Sequence, residues 1–166
     1  MKIVITSLFF FLLVSAPRVV VSQTSSELNS FGETIISSLQ AKKSEWKYES
    51  VSPMSSSDNV ILQQWSFENE SVRIAVVSHA SVRDAVDAMQ VLARGGQRGG
   101  DQQLGEEDVT WGRGTVSFRK RNLTVNVSVV ITEPTLDLAE ARKHEINQRK
   151  IAKEFAHLVA SAIKDK

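Results

Sequence analysis

Apolar and polar positions alternate along this chain with two different periods, and each change of period marks an element. Leu28, Phe31, Ile35 and Leu39 recur at helical spacing with Ile36 beside them. Thr24-Ser25-Ser26-Glu27, just ahead, has capping-box spacing, so a helix is predicted over about 25–42. Trp46, Tyr48 and Ser50 then alternate with Lys47 and Glu49, which predicts a short strand, and 53–59 is a polar turn region. Residues 60–67 are rich in β-formers, with Asn59, Ile61, Gln63, Trp65 and Phe67 on one face. After the polar link Glu68-Asn69-Glu70-Ser71, Val72, Ile74 and Val76 alternate again, and the two stretches predict a β-hairpin.

Ser81 is a fitting N-cap for a second helix, whose apolar stripe is Val82, Ala85, Val86, Met89, Leu92 and Ala93 and which ends at Gly95-Gly96. Residues 94–105 hold four glycines within six positions and read as a mobile loop. Residues 109–119 predict a further strand, with Gly112 and Gly114 marking a bulge or turn. Leu123, Val125, Val127, Val129 and Ile131 give the strongest alternation in the chain, which Pro134 ends. Residues 136 to about 164 are helical, with Ile151, Phe155, Leu158, Val159 and Ala162 on one face and a far more polar half before residue 148. The element order α-β-β-β-α-β-β-α, with short links between strands, predicts an α+β fold: a mainly antiparallel sheet of five to six strands with helices packed on it.

The first 22 residues keep neither period. Lys2 precedes an apolar run from Ile3 to Val14, too short to span a bilayer, and Pro17 and Arg18 break the apolar character beyond it. Val20 and Ser22 place small residues at −3 and −1 of a cut before Gln23. The expectation is a signal peptide over 1–22, a single domain over 23–166, no stable membrane span after cleavage, and a secreted or periplasmic protein. An uncleaved anchor is the alternative, opposed by Arg18 within the apolar stretch. The mature length of roughly 144 residues suits one domain with its own core.

Composition then removes several classes of function. The chain has no cysteine, which excludes a disulfide scaffold, a thiolate metal site and a thiol nucleophile. Its formal charge of +1 becomes −1 when Lys2 and Arg18 leave with the signal, so no global field attracts nucleic acid. The 95–100 glycines lack the Lys-Ser/Thr of a phosphate loop and come after a helix, not a strand. His144, Glu145 and His157 lack the i, i+4 spacing of zinc enzymes. No cofactor, no metal and no catalytic residue is therefore assigned. His79 and Asp84 flank the second helix as an acid–base candidate, against the plainer reading of a strand end and a carboxylate in a first helical turn.

The remaining candidates are basic and aromatic. Arg98, Arg113, Arg119, Lys120 and Arg121, with Arg94, gather near the Gly-rich loop as a candidate anion or partner site, with Trp111 as its aromatic neighbour; the plainer reading is solvated turn residues flanked by Asp101, Glu106, Glu107 and Asp108. Asn69, Asn122 and Asn126 stand in N-x-S/T sequons. The favoured function is a non-catalytic domain of the cell envelope or extracellular space that binds a protein partner or small-molecule ligand. The alternatives are a small secreted enzyme with a site near His79 and the 94–113 loop, and an envelope assembly or structural factor.

The run Gly114-Thr115-Val116-Ser117-Phe118-Arg119-Lys120-Arg121-Asn122-Leu123-Thr124-Val125-Asn126-Val127 resembles a hairpin of exported bacterial α+β domains of unknown function, in which a Phe-Arg-Lys-Gly-Asn-like turn precedes a C-terminal helix. Arg121 stands where that turn usually has Gly. The element order is similar to the αβα sandwich of the PsbP and Mog1-like proteins. The resemblance implies that sandwich and brings no catalytic residue with it.

Overall fold

The computed structural model describes residues 25–51, 58–99, 101, 103–111, 114–131 and 137–163. The signal peptide expected over 1–22 and the capping residue Thr24 lie outside them.

Helix α1 (Ser25–Lys42) leads into β1 (Lys47–Ser50), β2 (Val60–Phe67) and β3 (Glu70–Ser78). Helix α2 (Val82–Leu92) is succeeded by β4 (Gln97–Arg98), β5 (Glu107–Trp111), β6 (Thr115–Lys120) and β7 (Leu123–Ile131), and α3 (Leu138–Ala162) closes the fold. The strands form one sheet in the order β1-β2-β3-β7-β6-β5-β4, antiparallel at every pairing. The fold is α+β as expected, but the strand count of five to six is corrected to seven. Two features account for the difference. The stretch read as one strand over 109–119 is two antiparallel strands, which pair from Trp111 opposite Thr115. Within the stretch read as a loop, Gln97–Arg98 pairs with Val109–Thr110 through the backbone alone, so no side-chain pattern announces it.

Strand parity builds the main core. Register places Trp65, Val72, Val129 and Gln63, Ile74, Val127, Val116 in successive rows across the sheet, with Val76, Val125 and Phe118 beyond. All are buried. The cover on this face is α1, through Leu28, Ile35 and Leu39, and the second half of α3, through Ala152, Phe155, Ala156 and Val159. Phe155 sits edge-on to Trp46 at 4.9 Å and to Trp65 at 6.5 Å, joining helix to sheet through stacked aromatic rings. Gln63, the one polar side chain deep in this layer, donates to the Gly32 carbonyl at 3.0 Å and so satisfies its amide. Lys43 and Glu154 meet at 2.6 Å and tie α1 to α3.

Strand β6 is buried on both faces, since Val116, Ser117, Phe118 and Arg119 are all buried in succession. Helix α2 covers the second face at β6 and β7, burying Ala85 and Met89. Its N-cap is Ser81, as the sequence predicts: the hydroxyl accepts from the Asp84 amide at 3.1 Å. Helices thus lie on both sides of the sheet.

Only half of α3 belongs to this core. Gly114 fixes where the helix crosses the sheet end, because its φ of +92° is left-handed and a Cβ there would fall 2.7 Å from the Gln148 Cβ. N-terminal to that crossing the helix runs out over solvent, with Leu138 83 % and Ile146 69 % exposed. Asp137 caps it, accepting from the Ala139 and Glu140 amides at 2.7 and 3.1 Å. Removing the aromatic joint is expected to release the buried half: Phe155→Ala should lower the unfolding free energy by about 3–5 kcal/mol, read by urea denaturation monitored through tryptophan fluorescence.

Candidate functional site

The basic residues of the β6–β7 hairpin are placed by parity, on opposite faces. Arg119 points to the α2 side, where its side chain is 9 % exposed and held between Glu106 and Glu107, each at 3.2 Å. Its Nη1 also donates to the Arg121 carbonyl at 3.0 Å. Lys120 points to the α3 side, and its Nζ donates to the Ile163 carbonyl at 2.8 Å, closing the C-terminus of α3. Arg121 has φ +56°, the left-handed conformation that explains Gly at this place in the resembling turn, and its amide donates to Glu106 at 2.9 Å. Glu106 and Glu107 therefore bind the hairpin together internally. Arg113 lies outside the described residues, and the Trp111 backbone ends β5 opposite Thr115. The structure does not gather Arg119, Lys120 and Arg121 with Arg98 into one patch.

Arg98 instead joins a different set. It lines a cleft of about 340 Å³ between the β4–β5 edge and α3, with Gln97, Gly99, Asp101, Leu104, Asp108 and Thr110 on the sheet side and Arg149, Lys150 and Lys153 on the helix. The acids of this cleft are engaged. Asp108 is buried and accepts from the Asp101 amide at 3.1 Å, and Asp101 meets His157 Nε2 at 3.2 Å. Gly99 is required for this packing, because a Cβ would sit 1.8 Å from the Asp108 carboxylate. Arg149 pairs with Glu145 at 2.6 Å. Among the described residues no carboxylate lies within ion-pair distance of Arg98, Lys150 or Lys153. An open cleft carrying three cations that lack an ion-pair partner among the described residues is suited to an anion.

Sequence reading did not find this set because its members lie about fifty residues apart, and a polar helix reads as a solvated one. The signal was the density of Lys and Arg in the exposed half of the last helix, joined to a basic residue in the only Gly-rich segment.

His79 lies elsewhere, between β3 and α2. Its Nε2 is 2.9 Å from Thr124 Oγ1, and its backbone exchanges hydrogen bonds with Asn122: the His79 amide donates to the Asn122 carbonyl and Asn122 Nδ2 donates to the His79 carbonyl, both at 2.9 Å. Asp84 receives the Ser81 hydroxyl at 2.8 Å, within the helix cap. The arrangement holds the end of β3 against the β6–β7 turn. Asn122 and Asn126, both in sequons, are likewise engaged, Asn126 donating to Ser117 Oγ at 2.8 Å. Among the described residues no cluster of three or more metal-ligating side chains forms, and no helix is long and apolar enough to cross a membrane.

Burial holds His79 below the ordinary imidazole value of 6.5, and the nearby Asp84 charge opposes this only in part. The unfolded chain therefore binds the proton more readily, so this stabilisation is complete above about pH 6.5 and fades as pH falls below it. The unfolding free energy of the wild type should drop more between pH 7.5 and pH 5 than that of His79→Gln, measured by urea titration at each pH; equal slopes would contradict the assignment.

Comparison of the chain with protein-family models, with curated proteins and with solved structures finds no match.

Proposed function

We propose that this is an exported, non-catalytic binding domain whose ligand is anionic and enters the cleft between the β4–β5 edge and α3. The observation that carries this reading is the set Arg98, Lys150 and Lys153, which face the cleft without acid partners among the described residues. Coulomb attraction in a recess partly shielded from water exceeds that on an open surface, and Arg98 adds a planar fork for a carboxylate or phosphate. Binding is favoured over catalysis because the polar groups that could supply acid–base chemistry are committed to structure. His79 meets Thr124, Asp108 accepts from the Asp101 amide, and Asp101 faces His157. The ligand is a compact oxyanion or the acidic portion of a larger partner. Export rests on the pattern of residues 1–22 and on the resemblance of the 114–127 run to a hairpin of exported bacterial α+β domains.

Inorganic phosphate and galacturonate are the probes. Each should shift backbone amide resonances around Arg98, Lys150 and Lys153 in a saturable way. Arg98→Gln/Lys153→Gln should weaken either anion by about tenfold, corresponding to about 1.4 kcal/mol, without lowering the thermal midpoint. Shifts absent from the cleft at saturating anion would sink the reading. Separately, protein secreted by its own host should have a mass beginning at Gln23; a mass beginning at Met1 would reject the cleaved signal.

A further inference from the structure

From Arg142 to Lys153, α3 presents a charge pattern that the cleft alone does not use. At about 100° per residue, Arg142, Lys143, Arg149, Lys150 and Lys153 fall within an arc of roughly 120° on one helix face. All five are exposed. The arc runs roughly 16 Å from Arg142 to Lys153 at about 1.5 Å per residue, and its inner end, at Arg149, Lys150 and Lys153, is the helix wall of the cleft. Acids do not neutralise it. Glu145 takes Arg149 alone, and Glu154, near the edge of the arc, is taken by Lys43. Arg142 and Lys143 have no ion-pair partner among the described residues. Before Gln148 the helix also covers little of the core, so that part of its length is not explained by packing.

We infer that the ligand is an extended acidic polysaccharide, laid along the exposed face of α3 with one segment in the cleft. This rests on the anion-binding reading of the cleft and adds the shape and class of the ligand. A single small anion would engage only the inner cations, whereas a linear polyanion meets all five and releases counterions from each. The stripe favours a sugar polymer over a single-stranded nucleic acid because no aromatic side chain lies within the arc to stack a base; its middle position is Ile146.

The experiment compares galacturonate, linear polygalacturonate and single-stranded DNA of matched charge on the mature protein, by titration calorimetry. Polygalacturonate should bind at least about a hundredfold more tightly than the monomer, as linked contacts allow. With five contacts formed, raising salt from roughly 50 to roughly 200 mM should weaken it by about a hundredfold. Arg142→Gln/Lys143→Gln, both outside the cleft, should cost about tenfold for the polymer and nothing for the monomer, with unchanged helicity by circular dichroism. Polymer affinity equal to the monomer's, or untouched by the Arg142/Lys143 variant, overturns the extended ligand and leaves the cleft reading standing. DNA binding as tightly as polygalacturonate overturns the polysaccharide class. No binding of either monomer or polymer overturns both readings.

Discussion

The seating of Phe155 between Trp46 and Trp65 determines how the rest of the molecule is arranged. Two tryptophans from the β1–β2 side of the sheet meet one phenylalanine of α3, and burial of three large rings outweighs any polar contact in the layer. With Phe155 fixed there, Ala152, Ala156 and Val159 must face Phe118, Val125 and Val127, and the helix axis is committed to one line across the sheet. Gly114 then sits where that line leaves the sheet, with no room for a side chain against Gln148. Everything in α3 before Gln148 projects past the core. The outer end of the cationic face, at Arg142 and Lys143, thus lies beyond the point where the aromatic joint stops, and those residues are free of the constraint of packing.

The opposite end of the sheet is governed by charge. Arg119 is buried beside Ser117, and a guanidinium in that setting is tolerable only when fully paired. Glu106 and Glu107 supply the pairing, and Glu106 also holds the Arg121 amide in a turn whose φ of +56° costs a non-glycine residue energy. The same acids that the sequence suggests as neutral flanks of a basic patch are therefore its internal counterions. Arg119 is therefore committed to the hairpin's own acids and Lys120 to the carbonyls that end α3.

Side-chain periodicity made most of the fold legible. Helix α1 and strand β2 fall on the predicted residues, and Ser81 caps α2, because each carries its pattern in its own side chains. What escaped was held by backbone or by distance. Gln97–Arg98 is exposed on both residues and bonds to β5 through peptide groups alone, and Gly112 and Gly114 read equally as bulge or turn. Parity divides the basic run of the hairpin: adjacent residues 119 and 120 on a strand point to opposite faces and do not form one surface. Arg98 was a candidate from the start, but its companions on α3 become visible only once the sheet has brought residue 98 to residue 150.

The cationic face of α3 is the feature least accounted for by stability. Lys150 and Lys153, and Arg149 and Lys153, stand at i, i+3 and i, i+4, where like charges each destabilise a helix by about 0.2–0.5 kcal/mol. The Asp137 cap and the Glu145–Arg149 pair, with the acid N-terminal as the helix dipole prefers, offset terms of similar size. The balance leaves a helix that carries unneutralised repulsion along one face. An anion laid on that face removes the repulsion and adds attraction, so ligand binding and helix stability reinforce each other. A structural role alone would have been served by acids at these positions, and the acids that are present nearby are directed elsewhere, Glu154 to Lys43 and Asp101 to His157.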